Sequence, residues 1–331
     1  MRTLEFFAGI GGFQAACPWM NVQAALDIDQ DAKLVYTENF VGSYITCELA
    51  SITKDHLAHY LAELWWLSPP CTPFTQKGSQ QDDRDPRSRA LMNLIQIATQ
   101  LRPKVIALEN VVGFEKSQTC SRIVSMLQQA GYKHRVCIRC PSEIHWPNRR
   151  RRVYLVAWHA CIDEILGTKI TASFEQNWLS SNPMQSKPFE SKPIKAYLDP
   201  NISRHRNPEF WLDEETLAKH FTAIDRIDSE HSISACFASS YGKAITKGGS
   251  YLWQEDGYRR FSPREVANLL GFPNEFKLPA NLSNRRLWHL LGNSLSLPLV
   301  ASLMQFSKPD QANQHNDSPR WPQTDPHYFS P

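Results

Sequence analysis

The chain is poor in glycine, with 14 in 331 residues, and it lacks long apolar stretches. No run approaches the roughly 18–20 apolar residues that a membrane-spanning helix needs, and the best, Val153–Trp158, is the length of a strand. The apolar part of Met1–Phe7 is too short, and too soon followed by glycines, for a secretory signal, so a soluble intracellular protein is expected. Charge of one sign is also lacking: 36 Lys and Arg against 33 Asp and Glu leave +3. Net charge therefore does not by itself point to nucleic acid. The eight cysteines, at 17, 47, 71, 120, 137, 140, 161 and 236, are scattered, and no disulfide framework is expected in a chain this long. Cys137 and Cys140 form a lone C-x-x-C in a strand-like run that turns them to opposite faces, so no metal is expected. There is no internal repeat.

What is present is ordinary globular material, 42% hydrophobic and 21% charged, enough for about two domains at ~150 residues each. The first 160 residues alternate short apolar runs with longer mixed segments. Strands are predicted at Thr3–Phe7, Ala24–Ile28, Leu64–Leu67, Val105–Glu109, Arg135–Arg139 and Val153–Trp158. Between them, Leu91, Leu94, Ile95 and Ala98 share one face of a helix over Ala90–Leu101, which Pro103 stops. Strands alternating with helices predict an α/β fold with a mostly parallel sheet covered on both faces. From Thr168 to about Arg260, prolines at 183, 188, 193, 200 and 208 accompany weak periodicity. Regularity returns at Ser262-Pro263-Arg264-Glu265, where a serine cap, a proline at the first helical position and a glutamate three residues on predict a helix start. A last helix is predicted over Leu297–Phe306. The reading is a larger domain of 1–165 and 261–306, which the resemblance given below makes the catalytic domain, a smaller region of 166–260, which it makes the target-recognition region, and a polar, proline-rich and disordered tail of 307–331.

Four motifs carry chemistry. Three of the scarce glycines fall in Phe7-Ala8-Gly9-Ile10-Gly11-Gly12, directly after a predicted strand, where glycine lets the backbone approach a ligand closely. Asp27 ends the next strand, 15 residues after Gly12, and its carboxylate could accept from ribose hydroxyls. The spacing is not G-x-G-x-x-G, so a tight turn needing glycine for geometry alone competes with a nucleoside-cofactor pocket. In Ser68-Pro69-Pro70-Cys71-Thr72-Pro73, a cysteine among three prolines just after a strand sits on a stiff loop, suited to a positioned nucleophile more than to core filling. In Leu108-Glu109-Asn110-Val111, a carboxylate ends a buried-looking strand; burial would raise its pKa and make it a proton donor, and a capping or solvent-facing glutamate is the competing reading. Finally, Asn148 and Arg149-Arg150-Arg151-Arg152 lead into an apolar strand. Alternation would set Arg150 and Arg152 on one face and Arg149 and Arg151 on the other.

Taken in order, Phe-Ala-Gly-Ile-Gly-Gly, Pro-Pro-Cys, Glu-Asn-Val, Asn-x-Arg-x-Arg and Leu291-Gly292-Asn293-Ser294 resemble the cytosine-5 methyltransferases, over residues 1–160 and about 260–305. Leu108–Glu115, Cys236–Gly242 and Phe261–Pro273 with Leu290–Leu295 are most similar to the type-2 homologues that methylate an anticodon-loop cytosine in tRNA. The chain departs from their pattern at Ala238, where threonine is usual, at Thr72 and Asn148, where glutamine is usual, and near Ser51, where an acidic partner for adenine is expected.

The resemblance implies an S-adenosylmethionine-dependent methyltransferase fold and a set of roles. Cys71 adds to C6 of cytosine, Glu109 protonates N3, and Arg152, with Arg150, holds the pyrimidine edge. The cofactor lies against Phe7, Ala8, Gly9, Ile10, Gly11, Gly12, Asp27, Ile28, Ser51, Ile52, Pro70, Asn293 and Ser294. Thr75, Gln76, Cys236, Tyr241, Lys243 and Lys247 are candidate substrate contacts. A base must leave its stack to react, which makes a loop an easier substrate than a duplex. The resemblance, with Lys243, Lys247 and Tyr241 as plausible RNA contacts in 166–260, implies methylation of tRNA in the cytoplasm (or nucleus) ahead of DNA methylation. A weakly catalytic nucleic-acid-binding scaffold ranks third, disfavoured by the intact Cys71, Glu109 and Arg152.

Overall fold

A computed structural model describes residues 1–70, 86–160, 164–174 and 192–308. By their contacts these fall into two units, one within Met1–Arg139, Arg151–Met184 and Ala301–Trp321, the other within Cys140–Arg150 and Gln185–Val300.

The first unit is built on a seven-stranded sheet in the order β3-β2-β1-β4-β5-β7-β6. Its strands are β1 (Arg2–Phe6), β2 (Asn21–Asp27), β3 (Ser43–Thr46), β4 (Leu64–Leu67), β5 (Val105–Val111), β6 (Tyr132–Arg139) and β7 (Arg152–His159). The first five run parallel; β7 is antiparallel to both β5 and β6. Helices α1 (Gly12–Ala16), α2 (Gln30–Asn39), α3 (Lys54–Ala58), α4 (Pro86–Leu101), α5 (Gln118–Gln129) and α6 (Glu164–Phe174) connect or flank the strands.

The central strands are apolar because both faces are covered. Trp65 and Trp66 are adjacent in β4 and so point to opposite faces. Trp65 packs on Phe6 at 4.8 Å between ring centroids, and Trp66 stacks on Phe13 at 4.7 Å. Leu4, Leu67, Ile95, Ile106, Leu108, Ile123 and Leu155 join Trp65 in a continuous core. The chain leaves β1 toward β2 on one side, while β4 lies on the other. The carboxyl ends of β1 and β4 therefore flank the place where strand order reverses, and ligands bind there in such sheets.

All six predicted strands are present, several extended by one to three residues, and α4 begins four residues before the predicted Ala90. The sequence reading passed over β3, whose four residues alternate weakly at the sheet edge. Only Arg152 of the arginine run lies in β7, although the predicted alternation of exposure survives: Arg149 and Arg151 are exposed and Arg150 is buried. Among the described residues no helix is long and apolar enough to cross a membrane.

The second unit holds a three-stranded sheet of β8 (Asp225–Ile227), β9 (Ser250–Gln254) and β10 (Gly257–Arg260), with β8 parallel and β10 antiparallel to β9. With it are α7 (Glu214–His220), α8 (Pro263–Leu270), α9 (Asn284–Gly292) and the start of α10 (Leu297–Leu303). The capping box of α8 forms as predicted: Ser262 Oγ accepts from the Glu265 amide and the Glu265 carboxylate accepts from that of Ser262. Residues 261–300, which the sequence reading joined to the catalytic domain, gather in this second unit. The buried pair Arg259–Glu265 at 2.8 Å and the bond from Trp288 Nε1 to the Phe261 carbonyl anchor α8 and α9 there. The predicted last helix breaks after Leu303 and continues as a 3-10 turn at Gln305–Ser307. The expected tail, from residue 309 on, lies outside the described residues.

Candidate cofactor and catalytic sites

The turn after β1 alternates left-handed residues: Phe7 (φ 55°), Gly9 (φ 52°) and Gly11 (φ 84°). For Phe7 this is a sparsely populated conformation of the kind that collects at ligand sites. The two glycines have different reasons to be glycine. At Gly11 a Cβ would come within 2.3 Å of the Phe40 ring, so packing excludes a side chain. At Gly9 a Cβ would meet nothing within 4 Å, so the space beside its backbone is open. Glu5 sits beneath the turn in β1, 1% exposed, and its carboxylate accepts from the Phe13 amide at 3.2 Å. Burial pushes its pKa up to about 8, against the pull of the Phe13 and Gln14 amides.

Asp27 ends β2 and ties the turn to the next strand. One carboxylate oxygen accepts from the Gly9 amide at 2.8 Å and the other from the amides of Ile28 and Asp29. Burial raises its pKa, and those amides oppose the shift. Ile28 beside it is 61% exposed, an apolar side chain left uncovered next to an acid. An open glycine backbone, a carboxylate at the end of β2 and a bare isoleucine suit a nucleoside with its polar ribose and flat base. Ile52 packs against the sheet core and Ser51, on the surface, donates to the Glu48 carbonyl, so the turn after β3 is held by its own backbone.

β4 delivers the proline loop. Trp66 Nε1 donates to Ser68 Oγ at 2.7 Å, and Asn110 Nδ2 reaches the Pro69 carbonyl at 3.5 Å, linking this loop to the end of β5. Pro70 is exposed at the sheet's carboxyl edge. Cys71 is the next residue; it lies outside the described residues, as do Thr75 and Gln76. Glu109, near the end of β5, pairs with Arg152 at the start of β7: Arg152 Nε lies 3.2 Å from Glu109 Oε1, with side chains 15% and 10% exposed. The antiparallel register sets Val111 opposite Arg152 and Glu109 opposite Tyr154, which makes the pair a diagonal cross-strand neighbour. A carboxylate held by a guanidinium at a sheet edge can exchange a proton with a ring nitrogen and stabilise charge on a ring oxygen.

The second unit holds Arg150. It is 3% exposed, and its Nη atoms donate to the carbonyls of Phe237, Gly292 and Ser294, with Cys236 Sγ at 3.8 Å. These bonds brace the loop around Phe237 against the end of α9. Asn148, which the sequence reading left without a role, works alongside it. Its Nδ2 donates to Ser234 Oγ and the Ala235 carbonyl, while the Arg149 amide donates to the Ser234 carbonyl. Gly292 is required where α9 ends, because a Cβ would lie 2.3 Å from the Ser239 nitrogen. Asn293 is exposed, and Ser294 is buried, its Oγ without a hydrogen-bond partner among the described residues. Lys243 and Lys247 are exposed, as a substrate contact requires. Tyr241 is not: it is fully buried, donates to the Ser250 carbonyl and accepts from the Phe261 amide, and so belongs to the core. A tyrosine bordered by glycine and lysine reads as exposed until the long-range contacts that bury it are known.

A doubly wound sheet with a glycine turn after its first strand and a carboxylate after its second is that of an α/β enzyme binding a nucleoside cofactor. The model of C-5 cytosine-specific DNA methylases matches residues 1–307, and the chain belongs to that family, whose methyl donor is S-adenosylmethionine and whose substrate is nucleic acid. It is 28% identical to the tRNA (cytosine(38)-C(5))-methyltransferase of Schizosaccharomyces pombe, over 92% of this chain and 96% of that protein. It is 26% identical to the Bos taurus protein of the same name, over 92% and 98%. Among solved structures it is similar to the S. pombe Dnmt2 methyltransferase, with a TM-score of 0.79 and 27% identity over 95% of this chain and 99% of that one.

Proposed function

We propose that this protein methylates C5 of a cytosine in the anticodon loop of tRNA. The observation that carries the substrate is its end-to-end likeness to two tRNA (cytosine(38)-C(5))-methyltransferases, covering nine-tenths or more of each chain. With that substrate we infer a cytoplasmic or nuclear location.

Cytosine C5 is a weak nucleophile. In this reading the Cys71 thiolate forms a bond to C6, and the ring electron pair moves to C5. Glu109 gives a proton to N3 as that charge develops, and Arg152 both orients Glu109 and stabilises negative charge at O2. Bound S-adenosylmethionine supplies an electrophilic methyl group. Once C5 carries it, the C5 proton leaves to a base, the Cys71–C6 bond breaks, and the aromatic ring is restored. The chain's own contribution to cofactor binding is the open backbone at Gly9, the Asp27 carboxylate for ribose and Ile28 for adenine.

The second reading, a DNA methyltransferase, is favoured by the family's own description. Methyl transfer from radiolabelled S-adenosylmethionine to total tRNA and to duplex DNA, side by side with Cys71→Ala, separates the two. Label in tRNA that disappears with the variant is expected. Label in DNA alone would make this a DNA enzyme, and label in neither would return the scaffold reading.

A further inference from the structure

Among the described residues two aromatic side chains are exposed, Phe221 at 41% and Trp253 at 46%, and both belong to one cluster in the second unit. Trp253 on β9 lies directly opposite Tyr258 on β10, their rings edge-on at 5.0 Å. Tyr258 in turn meets Phe221, just after α7, edge-on at 6.3 Å. The Arg226 guanidinium of β8 lies 3.7 Å over the Phe221 ring. Register sets Arg226 and Arg260 beside Tyr251, two residues from Trp253, so all of these residues share one face of the small sheet.

An edge-on contact covers at most one face of one ring of a pair, and at 41% and 46% exposure Phe221 and Trp253 keep ring surface open to solvent among the described residues. A stacked guanidinium adds a flat cation. The last turn of α7 contributes Lys219 and His220; of the acids, Asp225 accepts from Ser250, Asp213 caps α7 and Glu255 accepts the Arg204 amide, while Asp256 in the β9–β10 turn and Glu214 and Glu215 in the first turn of α7 are exposed. The face therefore offers π surfaces and positive charge together, the combination that stacks unpaired bases and meets the adjoining phosphates. We infer that the Trp253–Tyr258–Phe221–Arg226 face is a second RNA-binding surface that stacks unpaired bases of the tRNA other than the target cytosine. This rests on the tRNA reading above.

The test uses the full chain with a tRNA transcript, comparing wild type with Trp253→Ala, Phe221→Ala and Arg226→Gln. Each site is at the surface, and thermal melting checks folding. KM for tRNA should rise roughly five- to hundredfold in the two aromatic variants, the usual effect of losing one stacked base. Arg226→Gln should also raise it and flatten its salt dependence. The kcat and the affinity for S-adenosylmethionine should stay within about twofold of wild type. Trp253→Phe, which keeps a π face, should restore most of the loss, whereas a merely structural role would show in the melting curve. Unchanged KM in variants of an enzyme that does methylate tRNA would overturn this inference and leave the tRNA reading intact. A wild type that methylates only DNA would sink the tRNA reading and this inference with it. Unchanged KM together with loss of self-association in sedimentation would give the face to a second copy of the chain instead.

Discussion

Glu5 is the residue whose surroundings are most at odds with its chemistry: a carboxyl group 1% exposed beneath the glycine turn after β1, its pKa pushed up to about 8. Because its folded-state value lies above the ordinary 4.5, the native protein keeps a proton that the unfolded chain has released. Stability contributed by this group is present at low pH and is lost as pH rises from about 4.5 through 8, by up to ~1.4 kcal/mol per pH unit. Glu5→Gln keeps an acceptor for the Phe13 amide and removes the titration, so its urea midpoint should change less between pH 5.5 and 8 than that of wild type. An equal slope would contradict the account. The glycines give a paired prediction. Gly11→Ala must both adopt φ 84° and displace the Phe40 ring, and should cost ~2–5 kcal/mol. Gly9→Ala has room, so it should cost ~1–2 kcal/mol for its left-handed backbone and weaken S-adenosylmethionine binding at least about tenfold by calorimetry. The two arginines should separate likewise. Arg150→Met strands three buried carbonyls at ~1–3 kcal/mol each and should lower the melting temperature sharply. Arg152→Met should lower kcat by about a hundredfold or more with a smaller change in melting.

At the scale of elements, strands and helices with strong local signals were legible and long-range assignments were not. β4 is four consecutive buried residues, and α8 announces itself by Ser262, Pro263 and Glu265, all within one turn. β3 carries little pattern because it is a short edge strand, half-exposed on one side. The assignment of α8 and α9 to the second unit depends on Arg259–Glu265 and Trp288–Phe261, contacts that no window of sequence displays. These interactions also rank two substitutions. Ser262→Ala removes one cap and should cost ~1 kcal/mol. Glu265→Ala removes the cap of the Ser262 amide and leaves Arg259 buried without its carboxylate, and should cost ~3–5 kcal/mol by denaturant melts. Equal losses would show that the buried pair contributes nothing beyond the cap.

For the molecule as a whole, the structure joins Asp27 to Gly9, two motifs that the sequence reading had set side by side, and joins Arg152 to Glu109, a pairing across two motifs that it had not foreseen. Local alternation does not foresee the partners of each arginine. Arg150 and Arg152 share a face by alternation, but one braces Phe237, Gly292 and Ser294 and the other holds Glu109. In the proposed reaction the thiol of Cys71 bonds to C6 of a tRNA cytosine while C5 is methylated. A tRNA whose target carries 5-fluorocytosine tests this most directly, because C5 then has no proton to release and the Cys71–C6 bond cannot break. Incubation with S-adenosylmethionine, digestion and mass spectrometry should find the methylated nucleotide on the Cys71 peptide, and Cys71→Ser should yield none. An adduct on another cysteine such as Cys236, or one formed with fluorinated duplex DNA and not with tRNA, would contradict the account.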